Sequence, residues 1–265
     1  MAKTTLTAFA KRKAAGEKLV MITAGDAPGA AAAAAAGIDI ILVGDSLGMT
    51  MLGYESTIPV TMEDMIHHTL AVRHGAPDAF VVFDMPFMSY QVSDEEALRN
   101  AGRAIKETGA DAVKLECDGS AAPLIRRMTS AGIPVMAHLG LLPQHIRAVG
   151  AYKVVGRSAG EAERLLADLK AVEEAGAFSV VLECIPAELA AEATRRLAIP
   201  TIGIGSGAEC SGQVQVMNDA LGVFEHTPKH AKRYAEIGKL TREALAAYAA
   251  EVRAGSFPAP ENSFK

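Results

Sequence analysis

The chain has 265 residues, with 26 Lys and Arg against 31 Asp and Glu, a formal charge of −5. That acidic balance disfavours a nucleic-acid binder, whose affinity comes largely from a basic surface. Half of the residues are hydrophobic and 22% are charged, a globular composition that excludes a largely disordered chain.

Lys3, Lys11, Arg12, Lys13 and Lys18 are scattered through the first 24 residues, and the longest apolar stretch there, Leu19–Ala24, is too short for a secretory signal. No export is expected. A helix over Leu6–Ala15 is placed to cap the bottom of a barrel. Leu19–Ala24 reads as the first strand, Pro28–Ala36 as an Ala-rich helix and Ile38–Val43 as the second strand. The window from Ala27 to Val43 is the most apolar of the chain, but Gly37 and Asp39 interrupt it and it is shorter than the roughly 20 residues of a membrane span. Helices over Thr61–His74, Asp94–Thr108, Ala121–Ala131, Ala159–Ala175 and Pro186–Leu197 then alternate with strands. The strands are Phe80–Phe83, Ala112–Glu116, Pro134–His138, Ser179–Glu183 and Pro200–Ile204. An eighth, weaker strand is placed at Ala220–Phe224 after a short crossover, Gly212–Asp219. A long helix, Lys229–Val252, precedes the tail Phe257-Pro258-Ala259-Pro260.

Gly109, Gly132 and Gly176 each end a helix directly before a buried strand, as a short turn from helix to strand requires. Eight strands and seven crossovers predict a single-domain (β/α)8 barrel over residues 1–265, with an open doubly wound sheet as the alternative.

The polar residues fall at the C-terminal ends of these strands, where parallel barrels place their chemistry. Strand two ends in Gly44-Asp45-Ser46, strand three in Asp84, strand five in His138 and strand six in Glu183. Strand four carries Lys114 and Glu116, and strand seven runs into Gly205-Ser206-Gly207. Any one acid here could be only a helix N-cap; six strands ending alike point to a site. Lys114 and Glu116, two apart, face one side and can pair inside the barrel, either as a structural ion pair or with the lysine free for an anionic substrate. Asp45, Asp84 and Glu116 form an all-oxygen set suited to magnesium, which takes one or two carboxylates, waters and substrate oxygens. Glu183 closes an apolar strand, so it is expected to be partly desolvated and poised as a general base, with an N-cap for the next helix as the alternative. Gly203–Gly207 could form a phosphate or pterin loop. His67 and His68 are adjacent on one helix and do not share a face, which argues against a metal site. Cys117, Cys184 and Cys210 lack zinc or disulfide spacing and fit a reducing cytoplasm; the first two are expected to be small buried hydrophobes pointing away from the rim acids.

Several phrases in order resemble the ketopantoate hydroxymethyltransferase family over nearly the whole chain. They are Leu42-Val43-Gly44-Asp45-Ser46-Leu47-Gly48-Met49, Gly53-Tyr54-Glu55-Ser56-Thr57, Asp84-Met85-Pro86-Phe87-Met88, Val113-Lys114-Leu115-Glu116, His138-Leu139-Gly140-Leu141 with Pro143-Gln144, Leu182-Glu183-Cys184-Ile185-Pro186, and Ile202-Gly203-Ile204-Gly205-Ser206-Gly207. The resemblance implies a (β/α)8 barrel that hydroxymethylates 3-methyl-2-oxobutanoate with 5,10-methylenetetrahydrofolate to give 2-dehydropantoate, on the way to pantothenate. It implies Asp45, Asp84 and Glu116 as magnesium-site acids, Glu116 through water. Asp45, Ser46, Asp84 and Lys114 become substrate ligands, Glu183 the proton acceptor, and His138 and Ser206 substrate-proximal residues. Manganese or cobalt would also suit such a site. A cytoplasmic homo-oligomer, a decamer, with no nucleic-acid or membrane partner is implied as well. Three positions depart from the family pattern: Gly25 for Tyr, Glu55 for Asp and Leu142 for Thr. The competing expectations are a magnesium-dependent 2-oxo-acid carbon–carbon lyase, with Cys210 as a candidate loop cysteine, and a non-catalytic metabolite-binding barrel.

Overall fold

The computed structural model describes residues 5–150 and 153–264. Eight parallel strands, β1 (Leu19–Thr23), β2 (Ile40–Val43), β3 (Phe80–Asp84), β4 (Ala112–Glu116), β5 (Val135–Gly140), β6 (Ser179–Glu183), β7 (Thr201–Ile204) and β8 (Gly212–Gln215), pair in sequence order. β1 pairs with both β2 and β8, so the sheet closes and the open-sheet alternative falls. The longer helices around it are α1 (Leu6–Ala14), α2 (Ala27–Ala35), α4 (Met62–Gly75), α5 (Asp94–Thr108), α6 (Ala122–Ser130), α8 (Ala159–Glu174) and α9 (Ala187–Arg196). Short helical turns α3 (Leu47–Thr50) and α7 (Ile146–Val149) sit in the rim loops.

The helices start where side chains satisfy their free N–H groups. Thr61 and Asp64 form a capping box at α4, Ser158 and Glu161 another at α8, and Asp26 and Ser93 cap α2 and α5. The expected left-handed glycines are in place, Gly109 at φ 70°, Gly132 at 85° and Gly176 at 100°. α1 closes the bottom of the barrel as expected. Phe9 is buried with Leu19, Met21, Ile40 and Met136, and its ring meets Phe80 edge-on at 4.9 Å. Lys13 Nζ fastens the same helix by donating to the carbonyls of Thr194, Leu197 and Ile199 at 2.7–2.9 Å, at the C-terminal end of α9.

Two expectations need correction. The eighth strand is Gly212–Gln215, inside the stretch read as a crossover, whereas Ala220–Phe224 ends a short helix, α10 (Met217–Ala220), and turns at Gly222. The strand carries one β-branched residue between two glutamines, so its apolar signal is weak. Its position is fixed by Gly212, where a Cβ would lie 2.5 Å from Leu19 O on β1. The last helix, α11, is Ile237–Ala254 rather than Lys229–Val252, because the Arg233 guanidinium binds Phe224 O and Glu225 O and turns the chain before the helix begins. The chain groups into two compact units, Met1–Val216, which contains the closed barrel, and Met217–Lys265, which contains α10 and α11. Among the described residues no helix is long and apolar enough to cross a membrane.

Candidate active site

Parallel register delivers the rim residues side by side. Asp84 on β3 lies opposite Lys114 on β4, Glu116 opposite His138 on β5, and Gly140 opposite Glu183 on β6. All but Gly140 line a cavity of about 140 Å³ at the C-terminal ends of the strands, together with Asp45, Ser46, Met49, Thr57, Leu42, Val181, Ile204 and Val214. Asp45, Ser46, Asp84, Lys114, Glu116, His138 and Glu183 therefore meet as the sequence reading places them. Ser206 does not line the cavity: its hydroxyl donates to Leu182 O at 2.7 Å and accepts from Ile185 N at 3.4 Å, so it clamps the ends of β6 and β7.

Lys114 pairs with Asp84, not with Glu116 as expected; Nζ lies 2.6 Å from Oδ1 and both side chains are buried. Burial opposes the ammonium, but the charges of Asp84, Glu116 and Asp45 outweigh it and hold Lys114 protonated. Asp45 is pushed up to about 7, first by burial and then by Asp84, against the pull of Lys114 and a hydrogen bond from Gln144. Burial likewise raises Glu116 well above the carboxylate range. His138 is lowered by burial and by the Lys114 charge, so its imidazole is neutral at pH 7.

His138 Nε2 stands 3.2 Å from Glu183 Oε2 and Nδ1 stands 3.8 Å from Glu116 Oε1, both off the directions that a hydrogen bond needs. Thr57 Oγ1 faces Asp45 without a bond of normal geometry. Four buried side-chain polar atoms among the described residues lack a partner, and three of them, on Thr57 and His138, belong to residues lining this one cavity. Orphaned polar atoms converging on a cavity mark a place shaped for a polar ligand. Glu183 is the acid set apart, its side chain 14% exposed while those of Asp84 and Glu116 are 3% and 1%.

No three His, Cys, Asp or Glu among the described residues form a ready-made metal cluster. The donors present still suit a hard divalent cation that completes its shell with waters and ligand oxygens. Asp45 and Asp84 are adjacent acids, linked by Asp45 N to Asp84 Oδ2 at 3.2 Å, and a cation between them would relieve their repulsion.

The backbone around Glu183 is shaped by two unusual residues. Cys184 adopts φ 49°, uncommon for a non-glycine residue, with its N–H on Ile204 O and its carbonyl on Val155 N. Gly140, at φ 101°, lets Leu141 N donate to Glu183 O at 2.8 Å. Cys184 is only half-buried, unlike Cys117 and Cys210, and burial pushes the Cys117 thiol up to about 12. The glycines read as a phosphate or pterin loop serve packing: a Cβ at Gly203 would meet Cys210 Sγ at 2.9 Å, and one at Gly207 would meet Ala187 at 2.6 Å. At Gly25, a Cβ would lie 2.5 Å from Met51 Sδ, so that methionine fills the space a larger residue would take, and Gly25 O accepts from His68 at 2.6 Å. Glu55 is exposed and Leu142 half-buried.

Sequence reasoning missed Gln144 and Tyr90. Both are buried, and they bond to each other and to the site acids. Their signal was a polar residue beside the rim after β5 and a tyrosine after β3, neither on a strand.

A family model for ketopantoate hydroxymethyltransferase matches residues 3–260. The chain is 55% identical to the 3-methyl-2-oxobutanoate hydroxymethyltransferase of Geobacillus sp. (strain WCH70), covering 98% of this chain and 94% of that relative. It is also 55% identical to the enzyme of the same name from Desulfotalea psychrophila (strain LSv54 / DSM 12343), over 100% of this chain and 95% of the relative. Among solved structures, phosphonopyruvate hydrolase in complex with oxalate and Mg++ aligns with a TM-score of 0.62 at 12% identity, over 99% of this chain and 93% of that one. 2,3-Dimethylmalate lyase aligns with a TM-score of 0.60 at 17% identity, over 97% and 92%. These two likenesses establish the shared fold alone. By the family model and by relatives more than half identical over nearly their full length, the chain belongs to the ketopantoate hydroxymethyltransferase family.

Proposed function

We propose that this enzyme transfers a hydroxymethyl unit from 5,10-methylenetetrahydrofolate to C3 of 3-methyl-2-oxobutanoate, giving 2-dehydropantoate for pantothenate and coenzyme A synthesis. The observation that carries the reading is the division of the cavity. A buried cluster of ionisable groups, Asp45 after β2, Asp84 on β3 and Lys114 and Glu116 on β4, stands across the cavity from one partly exposed carboxylate, Glu183, on β6.

On this reading Lys114, held protonated, and Ser46 bind the keto-acid carboxylate. Asp45 and Asp84 would hold a divalent cation, magnesium first and manganese or cobalt as substitutes, with Glu116 reaching it through water. When bound, the cation supplies Lewis-acid polarisation of the keto group, which makes C3–H acidic. Glu183 accepts that proton, and neutral His138 stands 3.2 Å from its carboxylate. Leu42, Val181, Ile204 and Val214 give the cavity an apolar wall suited to a branched side chain. The balance is simple: C3 loses a proton and gains the folate's one-carbon unit, and water supplies the hydroxyl as tetrahydrofolate leaves.

The lyase alternative finds no support at Cys210, which is fully buried behind Gly203. A homo-oligomer, a decamer on the family pattern, belongs to the same reading. It is supported by α11, whose Leu240, Leu245, Tyr248 and Val252 are 45–62% exposed. A cytoplasmic location is supported by three cysteines that are all unpaired.

The test is Glu183→Gln. Exchange of the C3 proton of 3-methyl-2-oxobutanoate into D₂O should fall about 10²–10⁴-fold, the usual worth of a general base, while keto-acid affinity changes little. Retained exchange would place the base on another residue.

A further inference from the structure

We propose that Gln144 is a positioning residue that selects which carboxylate oxygens of Asp45 and Glu116 face the cation; the proposal rests on the divalent-cation reading above. Gln144 lies on the single helical turn after β5 and is 2% exposed, on no strand and outside the ligand set. Every polar atom of its side chain is engaged. Nε2 donates to Asp45 Oδ2 and to Met85 O, both at 2.9 Å, and Oε1 accepts from Tyr90 OH at 2.8 Å and Gln91 Nε2 at 3.2 Å. Its backbone N–H donates to Glu116 Oε2 at 2.9 Å.

The amide can be placed only one way round. Exchanging its nitrogen and oxygen would set a carbonyl against two acceptors, Asp45 and Met85. Tyr90 holds that orientation from the far side, and its hydroxyl also accepts from Glu116 N at 3.1 Å. One residue therefore anchors an oxygen of Asp45, after β2, and an oxygen of Glu116, on β4, on either side of Asp84. Asp45 Oδ1 and Glu116 Oε1 are the oxygens that remain for a cation and its waters. Asp84 needs no such anchor, since Lys114 and Asp45 N already hold it. Partners of this kind orient ligands that would otherwise rotate, and their loss typically costs about 10–100-fold in metal affinity.

The experiment measures Mn²⁺ binding to the full chain by electron paramagnetic resonance, without keto acid or folate. It uses wild type, Gln144→Met, Tyr90→Phe and the double variant, each checked for folding by circular dichroism. Gln144→Met, of similar length but without donor or acceptor, should weaken Mn²⁺ binding about 10–100-fold. Tyr90→Phe should weaken it less, because Gln91 still donates to Oε1, and the double variant should lose less than the two single losses combined, because Tyr90 acts partly through Gln144 and partly on the Glu116 backbone. A folded Gln144→Met that binds Mn²⁺ within twofold of wild type overturns the proposal. If that variant does not fold, wild-type affinity in Tyr90→Phe overturns it. Absence of Mn²⁺ binding in wild type overturns the cation reading and this proposal with it, whereas tight wild-type binding unmoved by the variants overturns this proposal alone.

Discussion

Replacing Gly140 by Ala tests whether Glu183, the proposed base, is set by backbone packing between β5 and β6. A Cβ at Gly140 would lie 2.3 Å from Glu183 O and 2.9 Å from Ile185 Cγ2, where real contacts stay beyond 3.0 Å. The nearer atom is backbone, so the chain at Glu183 must move by about 0.7 Å, taking the carboxylate with it. A misplacement of about 1 Å at reacting groups costs up to about 100-fold in rate. The expected fall in C3 exchange is therefore about 10–100-fold, or about 1.4–2.7 kcal/mol of activation free energy. The left-handed φ adds a loss of stability of about 1–2 kcal/mol on its own. Gly132→Ala separates the two effects, since Gly132 also has positive φ, at 85°, but its Cβ would meet nothing within 4 Å. Exchange followed by proton NMR in D₂O at saturating keto acid and metal, with thermal melting alongside, should find both variants destabilised and only Gly140→Ala slow. If Gly140→Ala exchanges as fast as Gly132→Ala, the contact between strands does not set Glu183.

Two further outcomes follow from the electrostatics. Lys114→Met leaves Asp84 buried without its cation and should cost about 3–5 kcal/mol in urea denaturation, with much of it recovered on adding Asp84→Asn; a single-variant cost under about 1 kcal/mol would show that the pair is not held by burial. On the outer face, burial pushes Glu173 up, but hydrogen bonds from Lys170 Nζ at 2.8 Å, Ala198 N at 2.6 Å and Ile199 N at 3.2 Å outweigh it and hold this carboxylate below its ordinary range. A lowered folded value means stability that is present above the unfolded range, about pH 4.3, and lost as pH falls through the folded value. Melting temperatures of wild type and Glu173→Gln should therefore differ at pH 6 and converge toward pH 3; a gap constant across that range contradicts this sign.

The rim chemistry was legible because a parallel barrel gathers the C-terminal ends of all its strands at one face, so reading where each apolar run stops in a polar residue is enough to place Asp45, Asp84, Lys114, Glu116, His138 and Glu183 together. Pairing between them was not legible. Lys114 and Glu116 share a face, but the register sets Asp84 directly beside Lys114, while Glu116 lies two residues further along β4. Gln144 and Tyr90 escaped because loop residues have no periodicity that says where they point. β8 escaped because Gly212-Gln213-Val214-Gln215 owes its place to close approach to β1 rather than to β-branched residues. Ser206 had the right position in the chain, yet its hydroxyl is consumed by the backbone of Leu182.

The most direct test of the central claim follows deuterium entering C3 of 3-methyl-2-oxobutanoate in D₂O with the wild-type protein. It is run without metal, with Mg²⁺, and with Mg²⁺ plus 5,10-methylenetetrahydrofolate. The account expects exchange that depends on the cation and that gives way to 2-dehydropantoate once the folate is present. Exchange with no 2-dehydropantoate would leave an enolising site with a different reaction, and no exchange with any divalent cation would contradict the assignment of Glu183 and the carboxylate cluster altogether.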